Sequence, residues 1–135
     1  AAAVVAAGST TDLFGPKAVR AAAGSIVRLP IVEVDDPLEA VEDLQSAGRT
    51  VVASIVSDGA APESVDLADA VVLVGSEAHG LGPVLAARCD ARVTLPMADA
   101  VESVNVAVAG AVLLFEASRQ RRTGIGRVAD GGGRP

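Results

Sequence analysis

Val71-Val72-Leu73-Val74-Gly75-Ser76-Glu77-Ala78-His79-Gly80-Leu81-Gly82 is the stretch that decides the fold. A run of branched apolar residues passes directly into a glycine-rich loop. Short continuous apolar runs mark strands buried on both faces of a parallel sheet. In α/β proteins, ligands sit at the loops that leave the carboxyl ends of such strands. A second segment has the same grammar. Leu95-Pro96-Met97 reads as a strand end and turn, and Glu102-Ser103-Val104-Asn105-Val106-Ala107-Val108-Ala109 reads as the entry to an apolar helix.

Working outward, apolar runs place strands at Ala3–Ala7, Ser25–Pro30, Thr50–Val56, Ala70–Val74 and Ala91–Leu95. Helical stretches separate them. Pro16 to Ala23 opens on Pro and stops at Gly24. Pro37 to Ala47 opens on Pro, carries acids in its first turn and stops at Gly48. Pro83 to Arg88 is a short helix, and Ser103 to about Arg122 is the longest, with Ser103 as its N-cap and Asn105 in its first turn. Strands alternating with helices imply βαβ units and a parallel sheet. The last helix is apolar on almost every side from Val104 to Phe115, so it is expected to be buried all round or to lie between the core and another subunit.

Composition narrows the function. The chain of 135 residues suits one domain with a real core, and half of its residues are apolar. Phe14 and Phe115 are the only aromatics, which leaves no stacking platform for single-stranded nucleic acid. Net charge is −6, against a generic nucleic-acid binder. The charge is uneven. Glu33, Asp35, Asp36, Glu39, Glu42 and Asp43 form an acidic stretch, and Arg119, Arg121, Arg122, Arg127 and Arg134 a basic end. That end reads either as a phosphate-facing patch or as arginines favoured by a helix C-terminus. A lone cysteine, Cys89, allows no internal disulfide and fits a reducing cytoplasm, as a structural thiol rather than a nucleophile. Ala1–Ala7 is too short to span a bilayer and has no basic residue before it, so it reads as a strand rather than a signal peptide. The absence of an initiating Met reads as a fragment or a processed product. Gly131-Gly132-Gly133-Arg134-Pro135 reads as a flexible end.

Each motif has a bland reading beside the functional one. Gly75 to Gly80 has P-loop glycine spacing, but Leu81-Gly82 stands where Lys and Ser/Thr are required. It is neither a Walker A motif nor a dinucleotide fingerprint, and an ordinary tight turn remains open. Glu77 suits a sugar hydroxyl or a backbone amide. His79 with Cys89 does not complete a metal site, so no metal is expected. Ser103 and Asn105 at the mouth of an apolar helix suit a ligand or plain capping. Lys17 and Arg20 share a helix face that meets either phosphate or solvent.

Together the segments resemble the SpoU/TrmH branch of the SPOUT class of RNA methyltransferases. Lys17-Ala18-Val19-Arg20-Ala21-Ala22-Ala23-Gly24-Ser25 with Leu29-Pro30 is similar to the family's Lys-x-x-Arg-Ala-Ser-Ala-Gly-Ser and Leu-Pro element. Gly75-Ser76-Glu77-Ala78-His79-Gly80-Leu81 resembles its second motif. Leu95-Pro96-Met97 with Glu102 to Ala109 resembles its third, with Val104 and Ala107 where Leu and Ser are usual. The resemblance implies an α/β, parallel-sheet Rossmann-like SPOUT domain over residues 1–122 with a C-terminal trefoil knot, and a basic, Gly-rich tail over 123–135. It implies S-adenosylmethionine held by Ala53, Ser54, Gly75, Glu77, Gly80, Leu95, Met97, Val104 and Ala107. Glu77, Ser103 and Asn105 would line the reacting end, and Lys17 and Arg20 would meet RNA. It further implies ribose 2′-O methylation of tRNA or rRNA in the cytoplasm, by a homodimer paired through the knotted face, with no membrane and no metal.

The chain departs from the family in one respect. The Asn-x-Gly-x-x-Arg first motif, which carries the Arg thought to activate the hydroxyl, is not found, so the domain is expected to be N-terminally incomplete by a strand and a helix. A non-catalytic dimeric module that binds cofactor or RNA without turnover is the alternative. A small α/β nucleotide-binding or regulatory domain of unrelated chemistry is a third reading.

Overall fold

The computed structural model describes residues 1–8, 10, 12–76, 79–97 and 104–124. The chain divides into two compact units, Ala1–Asp43 and Leu44–Pro135.

In the first unit, strand β1 (Val4–Ala7) pairs in parallel with β2 (Ile31–Val34), Val4 opposite Ile31 and Ala7 opposite Val34. Helix α1 (Pro16–Ala21) connects them, completing a βαβ step. Pro16 occupies the first turn, where its missing N–H costs nothing. The second strand differs from expectation. Ser25–Val27 is a 3-10 turn rather than a strand, and pairing begins only at Ile31, beyond Pro30. Gly24, at φ +83°, and the bonds from Ser25 and Arg28 N–H to Ala22 and Ser25 carbonyls keep the chain turning through the apolar run. The true strand, Ile-Val-Glu-Val, has the β-branched content of a strand, but Glu33 placed it in the acidic stretch. Val5 and Val32 remain exposed, so this ribbon is not the doubly buried strand pair the apolar runs suggest.

Helix α2 (Pro37–Ser46) starts where Asp36 Oδ1 accepts the Leu38 N–H at 2.8 Å. It ends at Gly48 (φ +75°), with the Arg49 N–H returned to the Leu44 carbonyl.

The second unit holds a three-stranded parallel sheet in the order β4 (Val71–Leu73), β3 (Val51–Ser54), β5 (Ala91–Val93). The strands therefore form two separate sheets rather than one. Central β3 is fully buried at Val51, Val52 and Ala53, as an unbroken apolar run requires. Its start is clasped by Asp90, whose carboxylate accepts the Val51 N–H at 2.7 Å. That bond, then one from Gln45, holds the Asp90 carboxyl below its ordinary range. Helix α3 (Pro83–Arg88) precedes β5, and α4 (Val106–Thr123) covers the core. Val52, Leu67, Val93, Leu113 and Ala117 form that core, and burying each Val or Leu contributes about 1.5–3 kcal/mol.

One backbone feature shapes the site. The Ile55 N–H bonds the Val93 carbonyl, while the Ala60 N–H bonds the Arg92 carbonyl and the Thr94 N–H bonds the Ala60 carbonyl. Successive residues of a strand present their polar groups to opposite edges. Ala60 therefore pairs with the edge of β5 that faces away from β3, and residues 56–59 cross over the end of β5.

Helix α4 departs from expectation at both its start and its surface. It begins at Val106 with Asn105 as N-cap, not Ser103, and Ser103 lies outside the described residues. It is not buried all round either: Val108, Val112, Leu114 and Phe115 are exposed, Phe115 to 70%. Buried Gln120 ties its far end down. The carboxamide accepts the Leu67 N–H at 2.8 Å and donates to the Val65 carbonyl at 3.0 Å and to Glu116 at 2.9 Å. Among the described residues, no helix is long and apolar enough to cross a membrane.

Candidate functional site

A cleft of about 510 Å³ opens in the second unit at the carboxyl ends of all three strands. Ser54 ends β3, and Ile55 and Val56 follow it. Val74, Gly75 and Ser76 follow β4, with His79 and Gly80 closing that loop. Leu95 and Met97 follow β5, and Val104, Asn105, Val106 and Ala109 form the entry to α4. The volume falls within the range of small-molecule sites. Its position outside the carboxyl ends of parallel strands follows from every βα connection in this sheet leaving on the same side.

The β4 loop is a closed backbone structure. The Gly80 N–H donates to the Ser76 carbonyl at 2.8 Å, and the Ser76 N–H returns to the Gly80 carbonyl at 3.3 Å. Ser76 Oγ accepts the His79 N–H at 3.2 Å. A β-carbon on Gly75 would collide with the backbone of Gly80, so the strand can fold onto its own loop only as glycine. Gly80 sits at φ +61°, where a side chain is strained. The glycine spacing thus serves a close backbone approach, not a phosphate cradle.

At the opposite wall, Asn105 Oδ1 accepts the Ala107 N–H at 2.9 Å and the Val108 N–H at 3.4 Å. Satisfying these amides fixes the start of α4 at the cleft mouth. The described lining mixes aliphatic walls with Ser54, Ser76, His79 and Asn105 and holds no Lys or Arg. Such a lining suits a neutral or zwitterionic ligand with a flat apolar part. It offers nothing to neutralise a phosphate chain.

Of the residues singled out from the sequence, Ser54, Gly75, Gly80, Leu95, Met97, Val104 and Asn105 meet at this one cleft. Ala53 is fully buried in β3, and Ala107 is exposed on α4 outside the lining. Glu77 and Ser103 lie outside the described residues. Lys17 and Arg20 are exposed on α1 of the first unit. Sequence reading passed over Ile55, Val56, Val74, Ser76, Val106 and Ala109, which the ends of the strands and the first turns of α4 could have indicated.

Cys89, Glu116 and the described arginines of α4 have structural partners. The Cys89 thiol donates to the Leu85 carbonyl at 3.4 Å, and burial, then the Asp90 charge, push it up, away from nucleophilic use. Arg119 clasps Glu116 with two bonds of 2.7 Å. Those bonds and the Gln120 amide hold the Glu116 carboxyl at about 2. Arg121 donates to the Ala68 carbonyl, and Arg122 lies 5.9 Å from the Phe115 ring. No metal-binding group of three or more ligands occurs among the described residues.

Comparison with known proteins agrees with this geometry. The model of the SpoU rRNA Methylase family matches residues 1–115. A 23S rRNA (uridine(2479)-2′-O)-methyltransferase of Streptomyces viridochromogenes is 34% identical over 127 residues, covering 90% of this chain and 44% of that protein. The AdoMet-bound crystal structure of an rRNA methyltransferase from Sinorhizobium meliloti superposes with a TM-score of 0.79 at 33% identity, over 89% of this chain and 46% of that one. A SpoU methyltransferase from Streptomyces viridochromogenes in complex with AdoMet gives 0.79 and 33%, over 88% and 49%. The chain thus spans less than half the length of these relatives.

Proposed function

The chain belongs to the SpoU rRNA methylase family, and from that premise we propose that its cleft takes S-adenosylmethionine for transfer of a methyl group to a ribose 2′-hydroxyl of rRNA or tRNA. The observation that carries this reading is the convergence of both glycine- and proline-marked loops with the α4 entry on one cleft whose described lining holds no Lys or Arg. An adenosyl group with an amino-acid tail needs aliphatic walls and backbone edges, not a phosphate cradle, and the described lining supplies them. Ser54, Gly75, Gly80, Leu95, Met97 and Val104 would hold the cofactor, with Ala53, Glu77 and Ala107 completing the set. When bound, the cofactor supplies an electrophilic sulfonium methyl.

The chain's own part is binding, orientation and proton handling. Positioning a hydroxyl in line with the methyl removes much of the entropic barrier of a bimolecular step. Glu77, Ser103 and Asn105 are proposed to line the reacting end, and Lys17 and Arg20 to contact RNA phosphate. Residues 1–122 would be the methyltransferase domain and 123–135 its basic tail, working in the cytoplasm. The crossing of residues 56–59 over β5 supports a trefoil-knotted topology. The exposed apolar residues Val108, Val112 and Phe115 of α4 support pairing of two copies through that face.

The test is calorimetric titration of S-adenosylmethionine and S-adenosylhomocysteine into the purified chain, followed by labelled-methyl transfer to rRNA and tRNA with mapping of the modified position. Asn105→Ser, which keeps a capping hydroxyl but removes the carboxamide, separates the site from the helix cap. Binding with a Kd of about 1–100 μM, weakened in Asn105→Ser, and a 2′-O-methyl product support the reading. A folded protein that binds neither nucleoside refutes it. Binding without transfer to any RNA leaves the non-catalytic module.

A further inference from the structure

The strap formed by residues 56–59 has a second anchor that the cleft itself does not use. At the crossing, the Gly59 N–H donates to Thr94 Oγ1 at 2.9 Å. The approach is closer than any side chain allows. A β-carbon on Gly59 would stand 2.6 Å from Thr94 Oγ1 and from the Val93 carbonyl carbon. Just before it, Asp58 adopts φ +63°, an uncommon conformation for a residue with a side chain. The strap is therefore held at Ala60 by two backbone bonds and at Gly59 by the side chain of the residue that follows the strand it crosses. The residues on either side of this crossing belong to the cleft: Ile55 and Val56 enter the strap, and Leu95 and Met97 emerge from under it.

The geometry points to Thr94 as a positioning residue. Its hydroxyl clamps the strap through Gly59 and thereby fixes the spacing between the Ile55–Val56 wall and the Leu95–Met97 wall. Thr94 does not itself line the cleft. It acts on the ligand only through the strap. This inference rests on the reading that the cleft takes S-adenosylmethionine or its product.

Without the acceptor, the part-buried Gly59 N–H has to turn toward water, which lifts the strap and loosens one wall of the cleft. Thr94→Val keeps the shape and removes the acceptor, and Thr94→Ser keeps the acceptor. The decisive measurement is the affinity for S-adenosylhomocysteine of the parent and both variants, with amide exchange at Gly59 and thermal midpoints recorded alongside. In Thr94→Val the affinity is expected to fall about fivefold to tenfold, the effect of one hydrogen bond, and Gly59 exchange to accelerate. Thr94→Ser should restore both. A general loss of stability would lower the midpoint without changing the affinity of the folded fraction. Parent-like affinity in a folded Thr94→Val therefore overturns the proposal. A parent that binds no S-adenosylhomocysteine counts against the cofactor reading instead. The clamp is then decided by exchange alone, and unchanged Gly59 protection in Thr94→Val refutes it. If Thr94→Val does not fold, the parent decides: a Gly59 amide that exchanges as fast as that of Ser57, with or without ligand, is incompatible with a clamp.

Discussion

Replacing Gln120 tests how the second unit of the chain is held together. Gln120 is 2% exposed, and its side chain serves three backbone groups of the segment that leads into β4, together with Glu116. Gln120→Leu keeps the volume and removes every bond. The Leu67 N–H then has no partner in a fully buried position, at a cost of about 1–3 kcal/mol. The Pro62 and Val65 carbonyls lose the amide donor. Pro62 retains the Val65 N–H at 3.4 Å, so this adds only roughly 1 kcal/mol. The sum is about 2–4 kcal/mol, or a fall in Tm of roughly 10 °C for a chain of this size. Urea and thermal unfolding followed by helical ellipticity measure it. Gln120→Glu separates hydrogen bonding from packing. It keeps the acceptor for Leu67 but turns an acceptor on the Pro62 and Val65 carbonyls and on the Glu116 carboxylate. Its folded pKa is therefore raised, so its stability is greatest below the ordinary Glu value of about 4.3 and is lost as pH rises through the raised value. Between pH 4.5 and 7.5 Gln120→Glu should lose stability relative to the parent, while Gln120→Leu stays at a constant distance below it. A Gln120→Leu protein within about 0.5 kcal/mol of the parent, or a Gln120→Glu protein that gains stability with rising pH, would refute this account.

Two further outcomes follow from the same geometry. Gly75→Ala should abolish S-adenosylhomocysteine binding in calorimetry, because its β-carbon meets the Gly80 backbone and the β4 loop cannot close; retained affinity would show that the loop can open without loss of the site. Glu116 titrates at about 2 in the fold, below its ordinary value, so its contribution to stability is present above about pH 4.5 and is lost as the pH falls toward 2. Acid unfolding of Glu116→Gln should lack that part of the pH dependence, and an unaltered profile would show that the Arg119–Glu116 clasp contributes nothing.

What the sequence revealed, and what it hid, divides along a physical line. β3 was legible because it is buried from both sides and nothing but apolar residues fits at Val51, Val52 and Ala53; β4, half-buried, and β5, with Arg92 exposed between Ala91 and Val93, were legible from the shorter apolar runs beside it. β2 was not, because in the first unit Glu33 is exposed and interrupts the run. The more apolar Ser25–Pro30 was held in a turn by Gly24 and by bonds that periodicity does not encode. The cleft was legible as motifs, since Gly75 is demanded by a backbone contact that no other residue permits and Gly80 by its positive φ. Its remaining wall was not. Ile55 and Val56 look like any strand end, and Gly59 and Thr94 lie 35 residues apart with nothing local to join them. The start of α4 shows the same limit. Ser103 and Asn105 are both good caps by residue type, and only the path of the chain at the cleft mouth selects Asn105. Residue chemistry thus fixes which groups are available at the site. The crossing at β5 decides which of them face one another, and a crossing of two segments distant in sequence leaves no periodic trace in either.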